Sequence, residues 1–439
     1  MPGAVTGQRL RSCPDCGQFQ LLPALAPGSV ARCFRCGAVL RRVARNSLQH
    51  GLTLYVTALV LLVIACNTAL IEVDTFGMRR SANLLSGPLG FGDHNYWALA
   101  IVVGFMILAA PVLRVVLMTY VLLALCLKQP PAHLRVAFRD AERLRPWAMV
   151  DVFLLGLFVA YTELPSMIHV EIGVGLYAMI ALMLVLVVAD VCTDTQAVWE
   201  AMEQRGLTQV GQVHPMTAVG ALACQCCGLV SARGRERRPH CLRCGVEIEE
   251  GKPDSIARTW ALVLTAAMMY VPANVLPVLA FDQLGSGSPH TIIGGARELI
   301  NAGMWPLAAL VFLASIGVPC LKLAGLVLLL VAAQRGTLWQ LRQRTALYRL
   351  VRAIGRWSMI DIFMESVLIG LVQFGSVVTI SPGAGAVAFA GVVVLTMLAA
   401  ESFDPVLMWS EAQRRRPGTA LGPSVTARRA SVESTSKPA

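Results

Sequence analysis

Eight apolar stretches divide this 439-residue chain, each long enough to cross a bilayer, since ~20 residues rising ~1.5 Å apiece span a ~30 Å hydrocarbon core. In the first half they are Leu52 to Ile71, Trp97 to Leu127, Ala148 to Leu164 and Ile172 to Cys192. In the second they are Trp260 to Leu279, Met304 to Ala333, Met359 to Ile380 and Ala384 to Ala400. Pro111 lies inside the over-long second stretch and predicts a kink, a tilt or a break there. The third stretch of each half is interrupted by acidic and polar residues. With 14% charged residues, against about a quarter in soluble domains, the chain is no ordinary soluble enzyme.

The formal net charge of +11 is gathered between the apolar runs, a pattern of membrane topology rather than of nucleic-acid binding. Arg41, Arg42 and Arg45 precede the first stretch; Lys128, Arg135, Arg139, Arg143 and Arg145 separate the second from the third; Arg233, Arg235, Arg237 and Arg238 lie between the halves. The second half repeats this with Arg335, Arg342, Arg344, Arg349, Arg352 and Arg356, then Arg414 to Arg416. Every other connection is basic, which places both termini in the cytosol. Met1 to Leu10 lacks the apolar core of a secretory signal and agrees.

The halves match at an offset of about 208 to 211 residues: Trp147 to Asp151 recurs as Trp357 to Asp361, Pro111 to Arg114 as Pro319 to Lys322, and Asp194 with Trp199 as Asp404 with Trp409. The expected fold is an all-α integral membrane protein of two tandem repeats, each of about four transmembrane helices behind a small cytosolic four-cysteine zinc ribbon, in the same orientation. The divisions are a ribbon at 1–50, a membrane domain at 51–205, a ribbon at 206–255, a membrane domain at 256–411 and a disordered basic tail at 412–439. Leu338 to Ile354 reads as an interfacial amphipathic helix.

Each ribbon is a pair of C-x-x-C-G knuckles: Cys13 and Cys16 with Cys33 and Cys36, then Cys224 and Cys227 with Cys241 and Cys244. The two-residue spacing lets both thiolates reach one ion, and the following glycine permits the tight turn. Four thiolates leave no open position, so two structural Zn²⁺ ions are expected; an iron centre would use the same spacing. Cys226 is left as a bystander, because Cys224 with Cys227 keeps the spacing of the other knuckles.

Ionisable groups inside membrane helices cost ~2.5 to 3.5 kcal/mol each on insertion scales and are expected to pair. Lys322 and Asp361, with Ser358 and Thr396 bonded around them, form the expected cluster of the second half. It either glues helices together or relays protons or substrate. The first half has Arg114, which cannot readily deprotonate, and Ala148 in place of Ser358. Any active site therefore belongs to the second half.

The knuckles, the duplicated helical unit, Pro319-Cys-Leu-Lys322, Arg356-Trp-Ser-Met-Ile-Asp361 and Ser402-Phe-Asp-Pro405 together resemble the paraquat-inducible protein A family, which includes LetA-type inner-membrane proteins. The resemblance covers roughly residues 10 to 410 and implies a phospholipid transport system of the bacterial inner membrane, with a periplasmic MCE-domain protein as tunnel-forming partner. It carries the zinc ligands onto the eight knuckle cysteines and an intramembrane polar cluster onto Lys322, Ser358, Asp361 and Thr396. Ala148, Val198 and Leu407 depart from the family pattern and put the first half's participation in doubt.

No P-loop is present, so energy for transport comes from an ion gradient, a partner or the lipid gradient itself, and no catalytic residue is assigned. A membrane redox protein acting on quinones is the alternative, and a scaffold whose ribbons recruit partners a third.

Overall fold

The computed structural model describes residues 9–44, 46–75, 78–163, 169–208, 221–231, 240–249, 251–283, 286–301, 303, 305–336, 340–371, 378–414 and 431–434. The first ribbon is two hairpins, β1 (Arg9–Ser12) with β2 (Phe19–Leu22) and β3 (Ser29–Arg32) with β4 (Val39–Arg42), each closed by one cysteine knuckle. The chain then enters the membrane region as α1 (Ser47–Asn67) and turns through a hairpin of β5 (Ile71–Thr75) and β6 (Met78–Ala82). A short α2 (Ser86–Asp93) leads to α3 (Trp97–Gly104), a π turn at Phe105–Ala109 and α4 (Ala110–Ala124). After α5 (Leu134–Leu144) and α6 (Val150–Glu163), β7 (His169–Ile172) pairs with β5, and α7 (Val174–Cys192) returns to the ribbon side and ends in α8 (Thr195–Gln204).

The second half repeats the plan. Its ribbon has β8 (Leu222–Ala223) and β9 (Val230–Ser231), with a His240–Glu247 bridge closing the other knuckle. Then come α9 (Ser255–Val275), β10 (Leu279–Gln283), β11 (Ser286–His290), α10 (Ile292–Asn301) and α11 (Trp305–Phe312). A π turn at Leu313–Gly317 joins α12 (Val318–Arg335), followed by α13 (Leu341–Ile354), a 3₁₀ turn at Gly355–Met359 and α14 (Ile360–Leu371). β12 (Val378–Pro382) pairs with β10, and α15 (Ala384–Ser402) precedes α16 (Val406–Arg414).

Among the described residues, six helical segments are long and apolar enough to cross a membrane: Ser47–Asn67, Trp97–Ala124, Val174–Cys192, Ser255–Val275, Ala308–Arg335 and Ala384–Ser402. The third helix of each half is shorter, at 14 residues in α6 and 12 in α14. At ~1.5 Å per residue these reach only about 20 Å, less than a ~30 Å core. The protein is mostly helical, but the far end of each half carries a three-stranded antiparallel sheet that the all-α expectation omitted. Leu279 and Val378 to Ile380, read as helix from their apolar character, are strand residues of the second sheet. Short apolar runs do not distinguish the two states.

Both over-long spans solve their proline problem identically. A proline ring clashes with the carbonyl four residues earlier, and the π turn immediately before Pro111 and before Pro319 gives that carbonyl room without ending the helix.

Where the halves meet, α6 packs on α14. A Cβ added to Gly156 would fall 3.0 Å from the Ile360 carbonyl, and the Phe153 and Phe363 rings meet edge to face at 6.0 Å. On another side α2 crosses α14 so closely that a Cβ on Gly370 would stand 2.8 Å from the Gly87 nitrogen. Every α14 residue except Gly370 is consequently buried. On α6, by contrast, Asp151 and Phe158 are exposed.

The Asp194 and Asp404 motifs are matching helix caps. Each carboxylate accepts a backbone N–H two residues on, from Gln196 at 2.9 Å and Val406 at 3.0 Å. Each Asp backbone N–H donates to the serine that opens the first helix of its half, Ser47 at 2.7 Å and Ser255 at 2.9 Å.

Within the tail, Ser431–Ser434 forms β13 on the open edge of β3, whose unpaired backbone groups accept a third strand into the β3–β4 sheet. Residues 415–430 and 435–439, the basic Arg233 to Arg238 segment, Arg45, Arg415 and Arg416 lie outside the described residues.

Candidate functional site: two cysteine clusters and a buried polar centre

In each ribbon the backbone preorganises the thiolates. The N–H groups of Gly17, Gly37, Gly228 and Gly245 bond back to the first cysteine of their knuckles at 2.8 to 2.9 Å, and all four glycines adopt φ between 69° and 75°, a left-handed conformation that side chains disfavour. The four sulfurs of each cluster lie within 4.8 Å of one another and all eight cysteines are buried. Cys13 and Cys36 are 3.4 Å apart, Cys16 and Cys33 3.6 Å, Cys224 and Cys244 3.5 Å, and Cys227 and Cys241 3.4 Å. A tetrahedral ion on ~2.3 Å bonds holds its thiolates ~3.8 Å apart, so each cluster fits one metal ion. Cys226 is exposed and outside the cluster.

The ribbons dock crosswise. The first ribbon precedes the first half yet sits on the second: Arg349 of α13 donates to Asp15 at 2.6 Å and to the Cys36 carbonyl at 3.2 Å, Arg342 donates to the Phe34 and Arg35 carbonyls, and Arg35 stacks 4.4 Å over the Trp409 ring of α16. The second ribbon sits on the first half, where Arg243 bonds Glu203 and Gln196 of α8, and Gln196 bonds the Cys227 carbonyl. In both knuckles the arginine of Cys-x-Arg-Cys makes the anchor.

Phe19 packs on Ala221 and Val230, joining ribbon to ribbon. Arg11 lies beside this contact, where burial, then the charges of Arg41 and Arg243, push its guanidinium down to about 10. Arg41 reaches back from the first ribbon to the first half, bonding Asp194 at 3.1 Å and Glu200 at 2.8 Å.

The polar residues named from sequence gather in the second half, but not as the pair expected. Lys322, only 2% exposed, donates to Thr396 Oγ1 at 2.7 Å, Ser358 Oγ at 3.5 Å and the Gly355 carbonyl at 3.4 Å. No ion pair joins it to Asp361. Asp361 instead faces the hydroxyl of Ser315, and its Oδ2 has no hydrogen-bond partner among the described residues. The separation has a cause: Ser315 lies in the π turn before Pro319, which bulges that hydroxyl toward α14, while Lys322 follows the proline and points a level nearer the ribbons. Ser358, Asp361 and Glu365, at i, i+3 and i+7, share one buried face.

The first half holds an ion pair at the matching level. Arg114 donates to Asp190, which also accepts from Tyr55 at 3.1 Å and meets Arg145 at 3.5 Å. The sequence reading missed Asp190, an ionisable residue near the end of an apolar run, and Ser315 and Glu365. The first and last carry the signal of a charge inside a span. Ser315 carries none, because the π turn is not visible in periodicity.

Six membrane-long helices in two equivalent halves, with two metal-ready cysteine ribbons on one side, define a multi-pass membrane protein. The chain belongs to the family described as Paraquat-inducible protein A, whose profile matches residues 48–203 and again 256–413, once per half. It is 30% identical over 401 residues to "Intermembrane transport protein PqiA" of Escherichia coli K12, covering 90% of this chain and 94% of that protein. It is 29% identical over 398 residues to "Lipophilic envelope-spanning tunnel protein A" of the same organism, covering 90% of each. The "Probable intermembrane transport protein" of Haemophilus influenzae is 26% identical over 420 residues, covering 93% of this chain and 97% of that one. No solved structure matches.

Proposed function

We propose that the chain is the inner-membrane subunit of an MCE-type phospholipid transport system, a transporter rather than an enzyme, that passes lipid to a periplasmic tunnel-forming partner. Its relatives' names speak of intermembrane transport and of an envelope-spanning tunnel, and the match runs through nearly the whole chain. In this reading the ribbons hold Zn²⁺, for which four closed thiolates are suited, and they and both termini face the cytosol, in keeping with the basic connections on that side.

The observation that carries the mechanism is Lys322. A buried ammonium held by two hydroxyls and a carbonyl, one level from a buried carboxylate with an unpartnered oxygen, is costly in a bilayer as mere glue. Both groups can exchange a proton, which Arg114 cannot. Lys322 and Asp361, with Ser358 and Thr396, form the ion-coupling centre, and the first half is scaffold. Lys322→Ala should abolish lipid transfer and barrier function at normal protein levels, measured by complementation of a strain lacking the protein. Full complementation by that variant would remove the coupling centre, and crosslinking that recovers no MCE-domain protein would remove the partner.

A further inference from the structure

On the ribbon side, between the halves, a cavity of about 320 Å³ is lined by Arg145 of the first half and by Arg349, Arg352 and Arg356 of the second, with Glu401 as the one acidic lining residue among the described residues. Ligand pockets begin at about this size. We propose that it binds a phosphate-bearing anion, most simply a phospholipid headgroup drawn from the leaflet on that side.

Four guanidiniums around one carboxylate repel one another, and their internal pairing leaves a surplus. Arg349 is engaged with Asp15, and Arg145 meets Asp190 at 3.5 Å and Glu142 at 3.9 Å. Arg352 and Arg356 have no hydrogen-bond or ion-pair partner among the described residues, and both line the cavity. Spacings of three and four residues keep Arg349, Arg352 and Arg356 on one face, across α13 and the turn after it. Phosphate is the anion best matched to such planar forks, which bond it two N–H groups at a time. Basic pockets between membrane helices are a recognised seat for anionic headgroups.

General enrichment of basic residues on this side does not explain the set. At an offset of 210 residues, Arg352 corresponds to Glu142 and Arg356 to Pro146, so the duplicated half on the same side lacks both. The cavity also adjoins the polar centre. Its lining includes Gly355, whose carbonyl accepts from Lys322, and a Cβ on that glycine would stand 3.9 Å from Lys322 Nζ. Met397 and Ala400 supply an apolar floor on which a glycerol ester would rest. An anion in this seat lies one backbone group from the buried lysine.

The proposal deepens the transport reading by seating the headgroup, and its test does not depend on transport. The full chain is purified in neutral detergent, and bound lipid is counted by native mass spectrometry after adding phosphatidylglycerol or, separately, phosphatidylcholine. Wild type should retain the anionic lipid, and the Arg352→Gln/Arg356→Gln variant about tenfold less of it. Arg135→Gln, an exposed arginine on the same side of the first half, should match wild type. Competition by sn-glycerol 3-phosphate that is lost in the double variant supports the same seat. If that soluble ester binds and the lipid does not, the phosphate chemistry stands and the lipid source falls. Equal retention by the double variant and wild type, or an equal loss in Arg135→Gln, overturns the pocket. Because Arg352 is exposed and Arg356 half-buried, unchanged thermal melting should accompany the double substitution. A wild type that retains lipid in this way but fails every transfer assay would leave the pocket and remove the transport reading. A double variant that retains lipid beside a transport-competent wild type would do the reverse.

Discussion

Where the first half joins Arg114 to Asp190, the second half places Lys322 among Thr396, Ser358 and the Gly355 carbonyl. The surroundings differ as much as the residues do. α14 is enclosed by α6, α2 and its own half, whereas the matching α6 leaves Asp151 exposed. A charge compensated by a permanent partner holds helices in place, whereas Lys322 is held by neutral groups in the more enclosed helix layer. The duplication supplied two equivalent frames, and the more enclosed one carries the lysine on which the proposed ion coupling rests.

The crossed ribbons extend this comparison to the cysteine clusters and yield the largest expected effect. Structural zinc contributes ~10 to 16 kcal/mol of apparent folding free energy in small ribbons, so losing one ligand should unfold the ribbon concerned. Cys13→Ser should then expose α13 and α16, which the first ribbon covers, and cost α8 only its Arg41 contact, with the second ribbon still covering it. Cys224→Ser should expose α8 and leave α13 protected. Hydrogen exchange read helix by helix separates the two, and loss of protection in the half that follows each ribbon in sequence would contradict crossed docking.

The next effect sets the two polar centres against each other by thermal melting in detergent. Asp190→Ala strands the Arg114 guanidinium and should cost about 3 to 5 kcal/mol, seen as a lower melting temperature and yield. Lys322→Met removes a buried charge that no carboxylate balances, so melting should hold or rise while transfer is lost. If both variants destabilise equally, the lysine is structural and the contrast between the halves fails.

Much of this was legible in the sequence, for reasons that mark where legibility stops. Knuckle spacing, apolar length and the offset between Trp147 and Trp357 are local or periodic, and they gave the ribbons, six of the eight expected spans and the duplication. Nothing local tells a ribbon which half to cover: Arg349 and Trp409, which hold the first ribbon, lie far along the chain from its cysteines, and Arg243, though inside its own knuckle, anchors on Gln196 and Glu203 of α8. The Lys322 to Asp361 pairing failed on geometry that only the π turn creates. Thr396 and Ser358 were singled out as polar groups around the charges of Lys322 and Asp361, whereas the far-side sheets were hidden in stretches whose apolar character suits helix and strand alike.

The smallest effect tests the one feature the halves share most closely. Asp194 and Asp404 cap α8 and α16 with the same geometry, and losing a cap costs ~1 kcal/mol on average. Asp194 does one thing more: it holds Arg41, the first ribbon's tie back to its own half, and the pair is largely buried. Among the described residues Asp404 has no such arginine, and it instead takes the Lys252 backbone N–H at 3.3 Å. Asp404→Ala should therefore cost about 1 kcal/mol and Asp194→Ala about 2 kcal/mol, the excess vanishing in an Arg41→Gln background. Equal costs in that double-mutant comparison would mean that the Arg41 contact carries no stability, leaving the first ribbon energetically a part of the second half alone.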